Sequence, residues 1–231
     1  MGIRGKIFTT ITLIALAAIS FVYFRPPSDF YTEAAIVSYL NKQQPQFAAK
    51  EIVDIVYLDD KHVFIPFISK HDEAGMLLFA WRSGEWKHVK TSVNFEKYLW
   101  QFDTRDPSTT YIVWHHRFDE EVRLQVDVEH SYQLTKFHKG DVFYTPGVHL
   151  KDVRDINKNY GVYKLSEEWA EVMDPKKDHS LTERLFMSAF YSGYTFTAMF
   201  IDENNEEVFR KDGGGGTGYS NSFPNMLVQP L

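Results

Sequence analysis

Residues 7–24, IFTTITLIALAAISFVYF, form an apolar run with no charged residue, preceded by Arg4 and Lys6 and followed by Arg25-Pro26-Pro27. Eighteen helical residues at about 1.5 Å each extend roughly 27 Å, against a hydrocarbon core of about 30 Å. The run therefore predicts a single transmembrane helix in contact with the lipid bilayer. That expectation restricts where the remaining roughly 205 residues fold.

A signal peptide ends its apolar stretch at a small-x-small cleavage site in polar surroundings. The triplet available here is Ala15-Leu16-Ala17, and Ile19, Phe21, Val22, Tyr23 and Phe24 still follow it. Cleavage there leaves an apolar stub, whereas Phe21, Tyr23 and Phe24 suit the aromatic belt at one end of a retained span. A retained anchor is expected, and secretion after signal cleavage is the alternative. The short basic head places the N-terminus in the cytoplasm and the C-terminal portion outside. Arg25 on the far flank opposes that bias.

Without Arg4, Lys6 and Arg25, 22 basic residues stand against 31 acidic ones. Such an acidic portion is poorly suited to nucleic acid. The absence of cysteine removes disulfides, thiol nucleophiles, thiolate zinc sites and iron–sulfur clusters. No cofactor is implied.

The fold class expected is α+β: the membrane helix, an amphipathic helix with an antiparallel meander, and a second mainly antiparallel region. Four parts follow: 1–25 head and anchor, 26–102 helix plus sheet, 103–211 a second β-rich module with short helices, and 212–231 a flexible glycine-rich tail. Pro26-Pro27 stops the membrane helix, and Ser28 can cap the next, with Phe30, Ala34, Val37 and Leu40 at helical spacing. Strands are predicted at 51–58, 62–69, 76–82 and 86–92, separated by polar or glycine-containing turns. Pro66 inside the second favours an edge or a bulge. Leu77, Phe79 and Trp81 alternate with Met76, Leu78 and Ala80, which suits a central strand covered on both faces. This helix-and-meander order is similar to units of cystatin-like and NTF2-like folds, a likeness of architecture that carries no activity.

Residues 94–102 suit either a short helix or a strand, and the polar stretch 103–108 reads as the internal boundary. Val122, Leu124, Val126, Val128, His130, Tyr132 and Leu134 alternate with polar residues, so one face of this strand is buried and the other wet. A strand at 109–116 is expected to pair with it through Phe118-Asp119-Glu120. Ser166 opens a short helix that stops before Pro175, and Ser180–Glu183 reads as a capping box. A hairpin is expected around Asn204-Asn205.

No HExxH or His-x-His motif occurs, and adjacent His115 and His116 point to opposite strand faces, so no metal site is expected. The acidic stretch 202–207 lacks the glycine and the final glutamate of a calcium loop and reads as a turn. Gly213–Gly216 lack a following helix signal, and no G-x-S-x-G elbow is present. With aromatic residues at 16%, a platform is worth seeking. Trp100 and Trp114, with His115 and His130, are the candidate binding residues, although core packing is the better account of tryptophans near strand ends. The functional expectation is a single-pass, extracytoplasmic binding or accessory module of the cell envelope. Its partner is an envelope protein, a wall polymer or a small ligand. Alternatives are an envelope hydrolase with a site assembled from distant residues such as His115, Asp127 and His130, and a structural subunit of a membrane complex.

Overall fold

The computed structural model describes residues 10–12, 25–94, 97–116, 118, 121–131, 133–136, 142–145, 147–174, 194–208, 217–220, 223 and 225–231. These are mostly antiparallel β-sheet with few helices, an α+β chain. Of the apolar run, only residues 10–12 are described, and they are helical. Among the described residues no helix is long and apolar enough to cross a membrane. The capping box at 180–183 and the glycines at 213–216 lie outside the described residues.

The chain forms two compact units, Met1–Val93 with Gly218–Asn221, and Asn94–Thr217 with Ser222–Leu231. In the first, strands β1 (Ala49–Ile52), β3 (His62–Ser69), β4 (Ala74–Arg82), β5 (Glu85–Val93) and β14 (Thr217–Ser220) are neighbours in that order. β2 (Val56–Tyr57) also pairs with β3. Helix α1 (Glu33–Gln43) buries Ile36 and Leu40 in a cluster with Val63, Ile65, Phe67, Leu77, Phe79, Trp81 and Trp86. The alternate residues Met76, Leu78 and Ala80 are buried too, as a central strand requires.

The helix begins later than its apolar spacing implies. Trp86 Nε1 donates to the Ser28 carbonyl at 3.0 Å, and Trp81 Nε1 donates to the Arg25 carbonyl at 3.3 Å. Phe30 lies edge-on to Trp86 and Phe79, with ring centroids at 4.9 and 5.4 Å. These contacts hold 25–30 as a non-helical strap, so Thr32 rather than Ser28 caps the helix, accepting from Ala35 N at 3.4 Å.

Pro66 does not sit on an edge but opposite a bulge, where residues 53–55 face only 65–66. β3 is paired on both sides, to β4 along its length and to β1 and β2 on the other flank. The expected strand at 51–58 is broken between Ile52 and Val56, and Pro66 faces this gap, its carbonyl accepting from Val53 N at 2.9 Å. The missing amide thus falls where the neighbouring strand offers no ladder partner.

The second unit stacks two sheets. One runs β12 (Tyr160–Lys164), β7 (Thr110–His115), β6 (Lys97–Gln101), β15 (Leu227–Pro230), and the other β11 (Val148–Ile156), β8 (Val122–His130), β13 (Thr195–Ile201). Leu99, Ile112, Trp114 and Tyr163 of the first share one buried cluster with Leu124, Val126, Val128, Ala198 and Phe200 of the second. Helix α2 (Glu167–Met173) adds Ala170 and Met173, and Ser166 Oγ caps it by accepting from Trp169 N at 3.2 Å.

Four expectations change here. β7 does not pair with β8, because both turn apolar faces toward the same interior and so belong to facing sheets. β6 is a strand, and it pairs with β7 across the polar stretch 103–108, which is a turn within one sheet. The chain end is not wholly a free tail, since β14 joins the first unit's sheet and β15 pairs with β6. The two-residue-period strand also stops at His130, with β9 (Gln133–Lys136) pairing instead with β10 (Val142–Thr145).

Two predictions follow from this packing. A Cβ built on Gly161 would lie 2.3 Å from Trp114 Cζ2 on the paired strand. Gly161→Ala should therefore destabilise the protein by about 1–3 kcal/mol in denaturant titration. His88 is buried with Nε2 2.7 Å from Thr91 Oγ1, and burial pushes its imidazole down from 6.5 to about 4. The folded state thus favours the neutral ring. This stability is full above the unfolded value near 6.5 and is lost as pH falls toward 4, up to about 3 kcal/mol. A His88 resonance titrating at its ordinary position in NMR would contradict this assignment.

Candidate functional site on the outer face of a three-stranded sheet

The even residues of β8 face the core, so its odd residues, Arg123, Gln125, Asp127 and Glu129, face outward. Antiparallel register brings His149 beside Glu129 and Lys151 beside Asp127 on β11, and Thr195 and Thr197 beside the same two residues on β13. Strands about 4.8 Å apart thus assemble carboxylates, an imidazole, an amide, hydroxyls and an ammonium on one surface.

Asp127 is the organising group. Its side chain is 13% exposed, compared with 64% for Glu129 and 62% for His149. Gln125 Nε2 donates to Asp127 Oδ2 at 2.7 Å, fixing the carboxylate in the sheet. His149 Nε2 lies 3.5 Å from both Asp127 Oδ1 and Glu129 Oε1. The imidazole therefore lies between two carboxylates. At the other end of β8, Arg123 Nη2 bonds the Asp202 carbonyl and Asn205 Oδ1. Asp202 Oδ1 accepts from the amides of Asn204 and Glu206, both at 2.8 Å, and such bonds hold this carboxyl below its ordinary value. The acidic stretch is thus a self-capped turn. Among the described residues no cluster of three His, Asp or Glu is arranged to hold a metal ion.

The residues singled out from sequence lie elsewhere. Trp100 is fully buried, edge-on to Phe102 at 4.8 Å, and Trp114 is 7% exposed in the core of the second unit. Strand alternation in the β6–β7 pair, where Lys97 faces Trp114 and Trp100 faces Tyr111, puts the two tryptophans on opposite faces. They do not line one groove. His115 is buried against Tyr160, with ring centroids at 6.2 Å, and shares a sheet face with neither Trp114 nor β8. His130 is buried 5.0 Å from the Tyr194 ring, on the face of β8 opposite Asp127. The His115, His130 and Asp127 side chains therefore do not converge.

A second His–Asp pair, Asp59 and His62, occurs in the first unit. His62 Nδ1 lies 2.8 and 2.9 Å from the two Asp59 carboxylate oxygens, and Asp59 Oδ1 also accepts from Lys61 N at 2.7 Å. Burial works to raise the Asp59 carboxyl, but its hydrogen bonds and the attraction to His62 hold it below its ordinary value. Burial, with Arg82 nearby, holds the His62 imidazole below its ordinary value despite the attraction of Asp59. The pair clasps the β2–β3 turn.

No family model, curated protein or solved structure matches this chain.

His149 was not legible as a site residue. Its meeting with Asp127 and Glu129 depends on which strand pairs with β8, and no local spacing encodes that choice. The burial contrast gives a direct check. Trp100→Ala should cost about 3–5 kcal/mol of stability, whereas His149→Ala should change it by less than about 0.5 kcal/mol. Equal losses in denaturant titration would mean that one of the two placements is wrong.

Proposed function

We propose that this protein is a single-pass, membrane-anchored binding or accessory module of the cell envelope. Residues 7–24 serve as the bilayer anchor, the N-terminus lies in the cytoplasm, and the two sheet units lie outside. The uncharged apolar run supports the anchor, and the acidic, cysteine-free remainder suits an extracytoplasmic setting.

The observation that carries the binding reading is the Asp127–Gln125–His149 arrangement on an outward sheet face. A carboxylate fixed by an amide and flanked by an imidazole is a pre-positioned acceptor, and Thr195 and Thr197 extend the hydrogen-bonding row across β13. Such a row suits a polar partner bearing hydroxyl or amine groups, as an envelope protein or wall polymer does. A hydrolytic role draws no comparable support, since Asp127 and His130 sit on opposite faces of their strand.

Two measurements test this reading. Protease added to intact cells should digest the sheet units while the apolar run stays in the membrane fraction. Full protection from protease would overturn the orientation. A photo-crosslinking residue in place of His149 should capture an envelope component that the same residue at exposed Glu51 does not. Asp127→Asn should reduce that capture severalfold. Equal yields at the two positions would exclude the sheet face as the binding surface.

A further inference from the structure

Arg25 directly follows the last apolar residue of the run, Phe24, and the backbone is bonded to the first unit from Arg25 onward. The Arg25 carbonyl is bonded by Trp81 Nε1 and the Ser28 carbonyl by Trp86 Nε1. Phe30 closes the strap inside a ring of Trp86, Phe79, Tyr31 and Tyr57. Pro26 and Pro27 stiffen the few residues between these bonds. Free tryptophans near a span commonly seek the lipid interface. Trp81 and Trp86 are each only 6% exposed and spend their indole N–H groups on the strap.

The strap fixes which end of the first unit lies nearest the run. Trp81 and Trp86 are a cross-strand pair flanking the β4–β5 turn, and Trp81 N donates to the Lys61 carbonyl of the β2–β3 turn. The two turns therefore share one end of the sheet with Arg25. The β3–β4 turn, at His71, occupies the other end, roughly 23 Å away along β3. At the Arg25 end, Arg25, Lys61, Arg82 and Lys87 balance Asp29, Asp59, Asp60 and Glu85. The acidic surplus of the chain as a whole is absent there, so anionic headgroups do not repel this end.

We propose that the first unit stands directly on the lipid headgroup layer, with its β2–β3 and β4–β5 turns toward the bilayer, because the strap leaves no free linker after the anchor. The occupant of this surface is the headgroup layer itself. The inference rests on residues 7–24 being a retained anchor. It goes beyond that reading by making the orientation of the unit fixed, where a flexible stalk would let it tumble.

The absence of native cysteine makes the test direct. The full chain is reconstituted in phosphatidylcholine–phosphatidylglycerol vesicles as Asp60→Cys or His71→Cys, each carrying a fluorophore, with nitroxide-headgroup lipid as quencher. Quenching at position 60 should exceed that at 71 severalfold. Ten glycine and serine residues inserted between Phe24 and Arg25 alter no folded residue, and they should bring the two values together. Trp81→Phe with Trp86→Phe should move them in the same direction. Equal quenching in the uninterrupted chain, or a difference that survives the insertion, would overturn the proposal. Release of the chain by alkaline carbonate would instead defeat the anchor reading on which it rests.

Discussion

Alternation along β8 is the constraint on which the second unit depends. Val122, Leu124, Val126 and Val128 point to one side, and Arg123, Gln125, Asp127 and Glu129 to the other. A shift of one residue in register would bury Asp127 and expose the valines. The buried row meets Ile112, Trp114 and Tyr163 across the interior. The outward row supplies the candidate site. Core and site are thus two faces of one strand, and a substitution that disturbs the core row would reach the site through the backbone.

The seam between these sheets, with Asp152 and Arg154 at its exposed margin, is not wholly apolar, and its polar groups are structural. Tyr163 OH donates to Asp152 Oδ2 at 3.0 Å, and Arg154 Nε donates to the same oxygen at 2.8 Å. The Arg154 guanidinium lies 4.8 Å from the centre of the Tyr163 ring. Burial, together with the bond to Asp152, raises the Tyr163 phenol well above its ordinary value. Lys97 places its ammonium 4.5 Å over the Phe200 ring from the facing sheet. Each of these links ties one sheet to the other, and partnered polar groups of this kind restrict how two apolar faces slide.

Local features were readable from the sequence where they depend on near neighbours. The even–odd pattern of β8, the bounds of β3 and the Ser166 cap all fall into this class. Features set by distant partners were not. β7 was expected beside β8 because a short turn joins them, yet both turn apolar faces to the same interior, and each found other partners. Ser28 has the chemistry of a cap, but Trp86 lies 58 residues along the chain and claims its carbonyl. Pro66 looked like an edge residue because the break in its neighbour, between Ile52 and Val56, is invisible in a run of apolar residues. Trp100 and Trp114 were legible as large apolar groups, whereas their opposite orientations followed only from the β6–β7 register. His149 belongs with them, since its carboxylate neighbours lie on β8 and their meeting is a matter of strand pairing.

The short stretch from Thr217 to Pro230 gives one strand to the sheet of each unit, β14 beside β5 and β15 beside β6. During synthesis, β5 and β6 emerge long before these partners, separated from them by the bulk of the second unit. Their backbone donors and acceptors on that flank must wait in water or find temporary partners, and an open strand edge is a template for mispairing. If the chain is threaded through a membrane as it is made, neither sheet is complete until residues 217–230 have crossed. Folding of the two units would then be gated by the arrival of a single segment, and helper proteins that shield strand edges would matter most in that interval.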